Sequence, residues 1–193
     1  MISLAVTEEL REQAQKDGIE AGEDYNRTKK ERDFDRYVGD LGELAFKQIL
    51  EQNTNFEYKH LGGKKDADFV VEGFEVDVKT RTVIGENKKD LIVPADLPDG
   101  FHDFYVLLRC VYAEDDDLED LDRHERTIEA LEFIGLWNKR TIEEKGESFN
   151  PPWVQGRSSD NNRYTVICDY GTHADLMDFA PLMQAQQQAQ PAD

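Results

Sequence analysis

The sequence predicts an α+β or α/β chain built on a central mixed β-sheet flanked by helices. Three observations lead there: one strongly amphipathic helical stretch early in the chain, a switch to two-residue apolar periodicity just after it, and then a run of short strand-like segments with only brief helical turns between them. The length of 193 residues suits one ordinary domain with extensions, and 38% hydrophobic with 10% aromatic residues is enough for a core.

The elements follow in order. Thr7 to about Gly22 reads as a polar, weakly amphipathic helix with Thr7 as its cap, and residues 1–27 form an N-terminal helical extension. The main domain takes 28–183. It begins with a helix from Lys30 to Gln52, in which Phe34, Tyr37, Val38, Leu41, Leu44, Ala45, Phe46, Ile49 and Leu50 recur at three- and four-residue steps. Phe56–Lys59 is a short strand. Asp68-Phe-Val-Val71 and Phe74-Glu-Val-Asp-Val-Lys79 are two strands joined by Glu72-Gly73, which makes a β-hairpin. Further strands are expected at Leu91–Val93, Asp103–Tyr112, Thr127–Trp137 and Tyr164–Cys168, with one or two helical turns from Asn138 to Lys145. Glu114–Glu125, eight acidic residues in twelve, and the polar tail 184–193 read as solvated segments, and 150–162 as a long loop.

Charge excludes some functions. The formal net charge of −19 repels nucleic acid and anionic membrane unless a local region escapes it. One such region exists: residues 59–89 hold seven Lys and Arg against six Asp and Glu, a local +1 that one bound divalent cation would raise to +3. Cys110 and Cys168 lie in apolar runs and suggest neither a disulfide framework nor a metal cluster. With no leader-like N-terminus and no run of 18 apolar residues, a soluble cytoplasmic protein is expected.

The hairpin holds the residues that can do chemistry. Alternation sends Glu75, Asp77 and Lys79 to one face of their strand and Phe74, Val76 and Val78 to the other. Asp68, nine residues before Asp77 and across a tight turn, reaches the same level. Two convergent carboxylates suit Mg²⁺ or Mn²⁺, which prefer oxygen ligands and keep part of their hydration shell. A neighbouring lysine adds positive charge that holds an attacking water, and the metal lowers that water's pKa.

These residues resemble the PD-(D/E)xK nuclease superfamily, with its restriction-endonuclease-like fold. Asp68 matches the motif's first Asp, and Asp77-Val78-Lys79 matches its (D/E)xK triplet; Ala67 stands where the motif's name has proline. Asp66 is an alternative first Asp, and hairpin geometry favours Asp68. Gly39-Asp-Leu-Gly42-Glu43 matches the Gly-x-x-Gly-Glu pattern found on the preceding helix in similar proteins. The resemblance spans roughly residues 33–182. It implies a Mg²⁺- or Mn²⁺-dependent deoxyribonuclease in which Asp68, Asp77 and the backbone carbonyl of Val78 hold the metal and Lys79 positions the water. Glu43 would then activate that water or bind a second ion. Arg81, Lys139, Arg140 and Arg157 are candidate phosphate contacts, with Arg163 beside Arg157 in the long loop. DNA is the implied partner, RNA an open one, and double-strand cutting would imply a homodimer.

Plainer readings stand beside these. Asp77 with Lys79 is also what a surface ion pair looks like, and Glu43 is spaced to pair with Lys47 on its own helix. His60, His102, His124 and His173 have no metal-ligand spacing and read as structural or exposed. Trp137 and Trp153 read as packing residues, with Trp153 the better stacking candidate. The competing function is a non-catalytic acidic interaction protein, a DNA mimic or inhibitor that keeps the fold; a salt-adapted surface is compatible with either.

Overall fold

The computed structural model describes residues 2–18, 29–62, 67–82, 91–94, 100–114, 122, 125–149 and 164–167. Along the chain these form β1 (Ser3–Ala5), α1 (Glu8–Gly18), α2 (Lys29–Asn53), β2 (Tyr58–His60), β3 (Phe69–Val71), β4 (Phe74–Arg81), β5 (Leu91–Pro94), β6 (Phe104–Tyr112), β7 (Ile128–Asn138), α3 (Lys139–Lys145), β8 (Glu147–Phe149) and β9 (Tyr164–Ile167). The class is α+β. Six strands make a mixed open sheet in the order β1-β7-β6-β4-β3-β2, and three make a smaller antiparallel sheet in the order β5-β9-β8.

Within the large sheet only β4 and β6 run parallel. Parallel neighbours need a crossover, usually a helix. Here the intervening chain passes through β5, in the small sheet. The two sheet faces are covered differently as a result. On one, Val38, Leu41, Ala45, Phe46 and Ile49 of α2, with Leu10 and Ala14 of α1, pack on Val76, Val78, Val106, Leu108 and Leu136. On the other, Leu91 and Val93 of β5 and Ile142 of α3 close over Tyr105, Leu107, Ile134 and Trp137.

Local chemistry explains the boundaries. Thr7 Oγ1 accepts from the Leu10 N–H at 3.3 Å and caps α1, and Asn138 Oδ1 accepts from the Thr141 N–H at 2.8 Å and caps α3. The hairpin turn needs two consecutive left-handed residues, Glu72 at φ 50° and Gly73 at φ 88°. The thin apolar face of α1 is nonetheless used, since Leu10 and Ala14 are both buried. Two strands were not anticipated. β1 and β8 have three residues each, too few to display a two-residue period. Most of the acidic run 114–125, and all of 150–162 and 184–193, lie outside the described residues. No helix among the described residues is long and apolar enough to cross a membrane.

Candidate active site

β4 sits inside the sheet, with β3 on one side and β6 on the other. The β3–β4 ladder ends at the pair Phe69–Val76, closed by a hydrogen bond from the Asp68 N–H to the Val76 carbonyl at 3.2 Å. Asp68 lies just ahead of that pair, and its carboxylate is close enough to Asp77 to feel that residue's charge. At this fork the Asp68 side chain takes over the hydrogen bonding to β4: Oδ2 accepts from the Val78 N–H at 2.7 Å. A strand residue points its N–H and C=O to the same flank, so the Val78 carbonyl also faces this fork.

Asp77 is 5% exposed, a buried carboxylate. The Lys79 ammonium lies 2.6 Å from its Oδ2 as an ion pair, although no aligned hydrogen bond reaches that oxygen. Burial raises the Asp77 pKa against the opposing pull of Lys79 and His102. Asp68 is pushed up to about 7, first by burial, then by the charges of Asp77 and Glu43, while the Val78 N–H and Lys79 act the other way. Two carboxylates that raise each other's proton affinity form a site short of positive charge.

Glu43 approaches from the helix side. Its position depends on Gly42: a Cβ there would fall 1.8 Å from Thr80 Oγ1 on β4, so only glycine lets α2 descend this close to the strand. Gly39 has nothing within 4 Å of that position and serves no such contact. The Glu43 carboxylate bonds to His60 Nε2 at 2.7 Å and acts on Asp68 and Asp77 through its charge. Among the described residues, no three His, Cys, Asp or Glu side chains are gathered closely enough to hold a metal between them. Asp77 and Lys79 thus share one face, Asp68 stands at the edge of their strand within reach of Asp77's charge, and Glu43 lies on the helix side.

Two histidines belong to this region. His60 follows Tyr58 by two residues on β2, an alternation that places it on the helix-facing side; that was the signal available in the sequence. His102 has no comparable signal. It is 7% exposed, with Nδ1 3.2 Å from Glu75 Oε2, and it lies on the Asp77 side of the sheet.

The predicted phosphate contacts separate. Arg81 continues the Asp77–Lys79 face and is the cross-strand neighbour of Arg109, whose Nε donates to Glu132 Oε2 at 3.0 Å. Lys139 opens α3 with its N–H on the Asp103 carbonyl at 2.9 Å, and its ammonium lies beside Gly100. Arg140 is exposed and engaged with Glu144 at 2.7 Å. Arg157, Arg163 and the alternative aspartate, Asp66, lie outside the described residues.

No family model, no curated protein and no solved structure matches the chain.

Proposed function

We propose that this chain is a divalent-metal-dependent nuclease acting on DNA, with a restriction-endonuclease-like core formed by α2, the β3–β4 hairpin and β6. The observation that carries the reading is the closeness of the Asp68 and Asp77 carboxylates where the β3–β4 ladder stops, with Lys79 paired to Asp77. Burying that many charges in the middle of a sheet is costly, and stability alone does not call for it.

The donors fit Mg²⁺ or Mn²⁺. Asp68, Asp77 and the Val78 carbonyl offer only oxygen, and the buried Asp77 Oδ2, met by the Lys79 ammonium at 2.6 Å, is an acceptor suited to a cation. Bound there, such a metal supplies Lewis-acid activation of water and neutralises charge on a phosphodiester. The remaining work falls to the side chains. Lys79 holds its ammonium against Asp77, where it orients a water and offsets developing negative charge. Glu43 adds acceptor capacity from the helix side, for a proton or a second ion. Arg81 at the end of β4 and Lys139 at the start of α3 are the described cations proposed to contact phosphates, and the −19 background makes binding weak unless a divalent metal is present.

Labelled duplex, junction, flap and single-stranded DNA, with RNA counterparts, incubated with Mg²⁺, Mn²⁺ or EDTA, test this directly. Cleavage with metal, abolished by EDTA and by Lys79→Ala, is expected. If Mn²⁺ binds equally to the parent and to Asp68→Asn/Asp77→Asn in calorimetry, the site is misassigned. Capture of a DNA-binding protein without cleavage or metal binding would favour the acidic interaction protein instead.

A further inference from the structure

The Glu43–His60 contact is one corner of a repeated arrangement. β2 pairs with β3 so that His60 is the cross-strand neighbour of Phe69. Above them runs α2, which drops Phe46 edge-on onto Phe69 at 5.3 Å and, one turn earlier, Glu43 onto His60 at 2.7 Å. The His60 ring is stacked flat on Phe69, with centroids 4.5 Å apart and 14° between planes, so its rotation is restricted. A carboxylate only accepts, so the imidazole nitrogen facing Glu43, Nε2, is the one that donates. The residue immediately before Phe69 is Asp68, the candidate ligand.

We propose that His60 is a positioning residue: its stacked ring holds the Glu43 carboxylate at the hairpin fork, where the charge of Glu43 acts on Asp68 and Asp77. The inference rests on the nuclease reading and adds to it a residue that touches no reacting atom. Outer partners of this kind set the orientation and basicity of the groups they hold, and losing one typically lowers metal affinity by about 10–100-fold.

A plain anchoring role is the rival account, and the structure supplies its control. Tyr58, two residues before His60 on the same strand, bonds to Glu51 on α2 and so ties the same helix to the same strand away from the site. The test is calorimetric Mn²⁺ binding by the full chain, with DNA cleavage and thermal melting measured alongside. His60→Phe keeps the stack and removes the donor. It is expected to weaken Mn²⁺ binding about 10-fold or more, while His60→Gln, which retains an N–H donor, recovers most of the loss and Tyr58→Phe leaves binding unchanged. In a Glu43→Gln background, His60→Phe is expected to have no further effect. Unchanged Mn²⁺ affinity in folded His60→Phe overturns the proposal, as does an equal loss in the Glu43→Gln background or in Tyr58→Phe. If the parent itself neither binds Mn²⁺ nor cleaves, the nuclease reading fails and this inference with it. A parent that binds and cleaves isolates the question to His60.

Discussion

Strands β4 and β6 lie side by side, parallel and in register from Val76 opposite Phe104 to Arg81 opposite Arg109, yet they treat the same sheet face in opposite ways. On the helix side they agree: Val76 and Val78 match Phe104 and Val106, all buried in one cluster. On the other side β6 presents Tyr105 and Leu107, each 1% exposed, while β4 presents Asp77 and Lys79 at the same two levels. A fold-driven choice would have continued the apolar row. Replacing buried ion pairs by well-packed apolar residues is often neutral or stabilising, by about 1–4 kcal/mol. The contrast between the strands therefore marks the place where the proposed chemistry and the packing make opposite demands.

The sharpest way to break the contrast is to make β4 resemble β6. Asp77→Leu/Lys79→Leu is expected to lower metal-dependent cleavage by about 10³-fold or more, since it removes both the carboxylate proposed to hold the metal and the lysine proposed to orient water. In denaturant unfolding the same variant should be as stable as the parent or more so. A fall in activity accompanied by an equal fall in stability would mean that the pair is part of the scaffold. Lys79→Met alone leaves Asp77 buried without its cation, and a loss of about 1–3 kcal/mol is expected, less than for a fully buried pair because Lys79 is about a third exposed.

The helix side offers a second lever, because β4 departs from the apolar pattern there too, at Thr80 beneath Gly42. Gly42→Ala would force a Cβ to within 1.8 Å of Thr80 Oγ1 and 3.1 Å of its Cβ, lifting α2 or turning the threonine, at about 1–3 kcal/mol. Adding Thr80→Ala removes the nearer atom and should restore part of that stability. Gly39→Ala, with open space, should not destabilise and should gain a little helix propensity. Equal effects at the two glycines would contradict the close approach.

Sequence periodicity made much of this frame legible. α2 was expected over 30–52 and is Lys29–Asn53, and the hairpin with its Glu72-Gly73 turn lies where alternation put it. Asp77 and Lys79 share a face because a strand has no other option. What alternation did not reveal is depth: Asp77 looks in sequence like a solvated charge, yet it is buried. Nor could the separate sheet β5-β9-β8 be read, since strands of three or four residues carry too little pattern to choose their partners. Glu43 was identified on its helix, but its partner was not. His60 is 17 residues away, and its role depends on the β2–β3 register, which exists only once the sheet is assembled.

Proton linkage gives the smallest and most specific test of the contrast, because β6 has no titratable group at the levels of Asp77 and Lys79 except the Tyr105 phenol, whose pKa is raised by burial. Asp68 holds its proton to about pH 7 in the native state, against about 3.9 when unfolded. Between those values the native state binds a proton that the unfolded chain has released, so stability falls as pH rises. The favourable contribution is complete below about pH 4 and gone above about pH 7, and the raised pKa of Asp77 acts in the same sense. In EDTA, the parent should thus lose stability from pH 5 to pH 8 more steeply than Asp68→Asn. The Asn side chain keeps an oxygen able to accept from Val78 N–H but carries no charge, so at pH 8 the variant should be the more stable by on the order of 1–2 kcal/mol. Mg²⁺ at pH 8 should stabilise the parent and leave Asp68→Asn largely unmoved. Both proteins share the remaining acidic surface, so its repulsion cancels in the comparison. A variant less stable than the parent at pH 8 would mean that the ionised carboxylate gains more from Val78 and Lys79 than it loses to burial and to its acidic neighbours, and β4 would then be charged for reasons of structure.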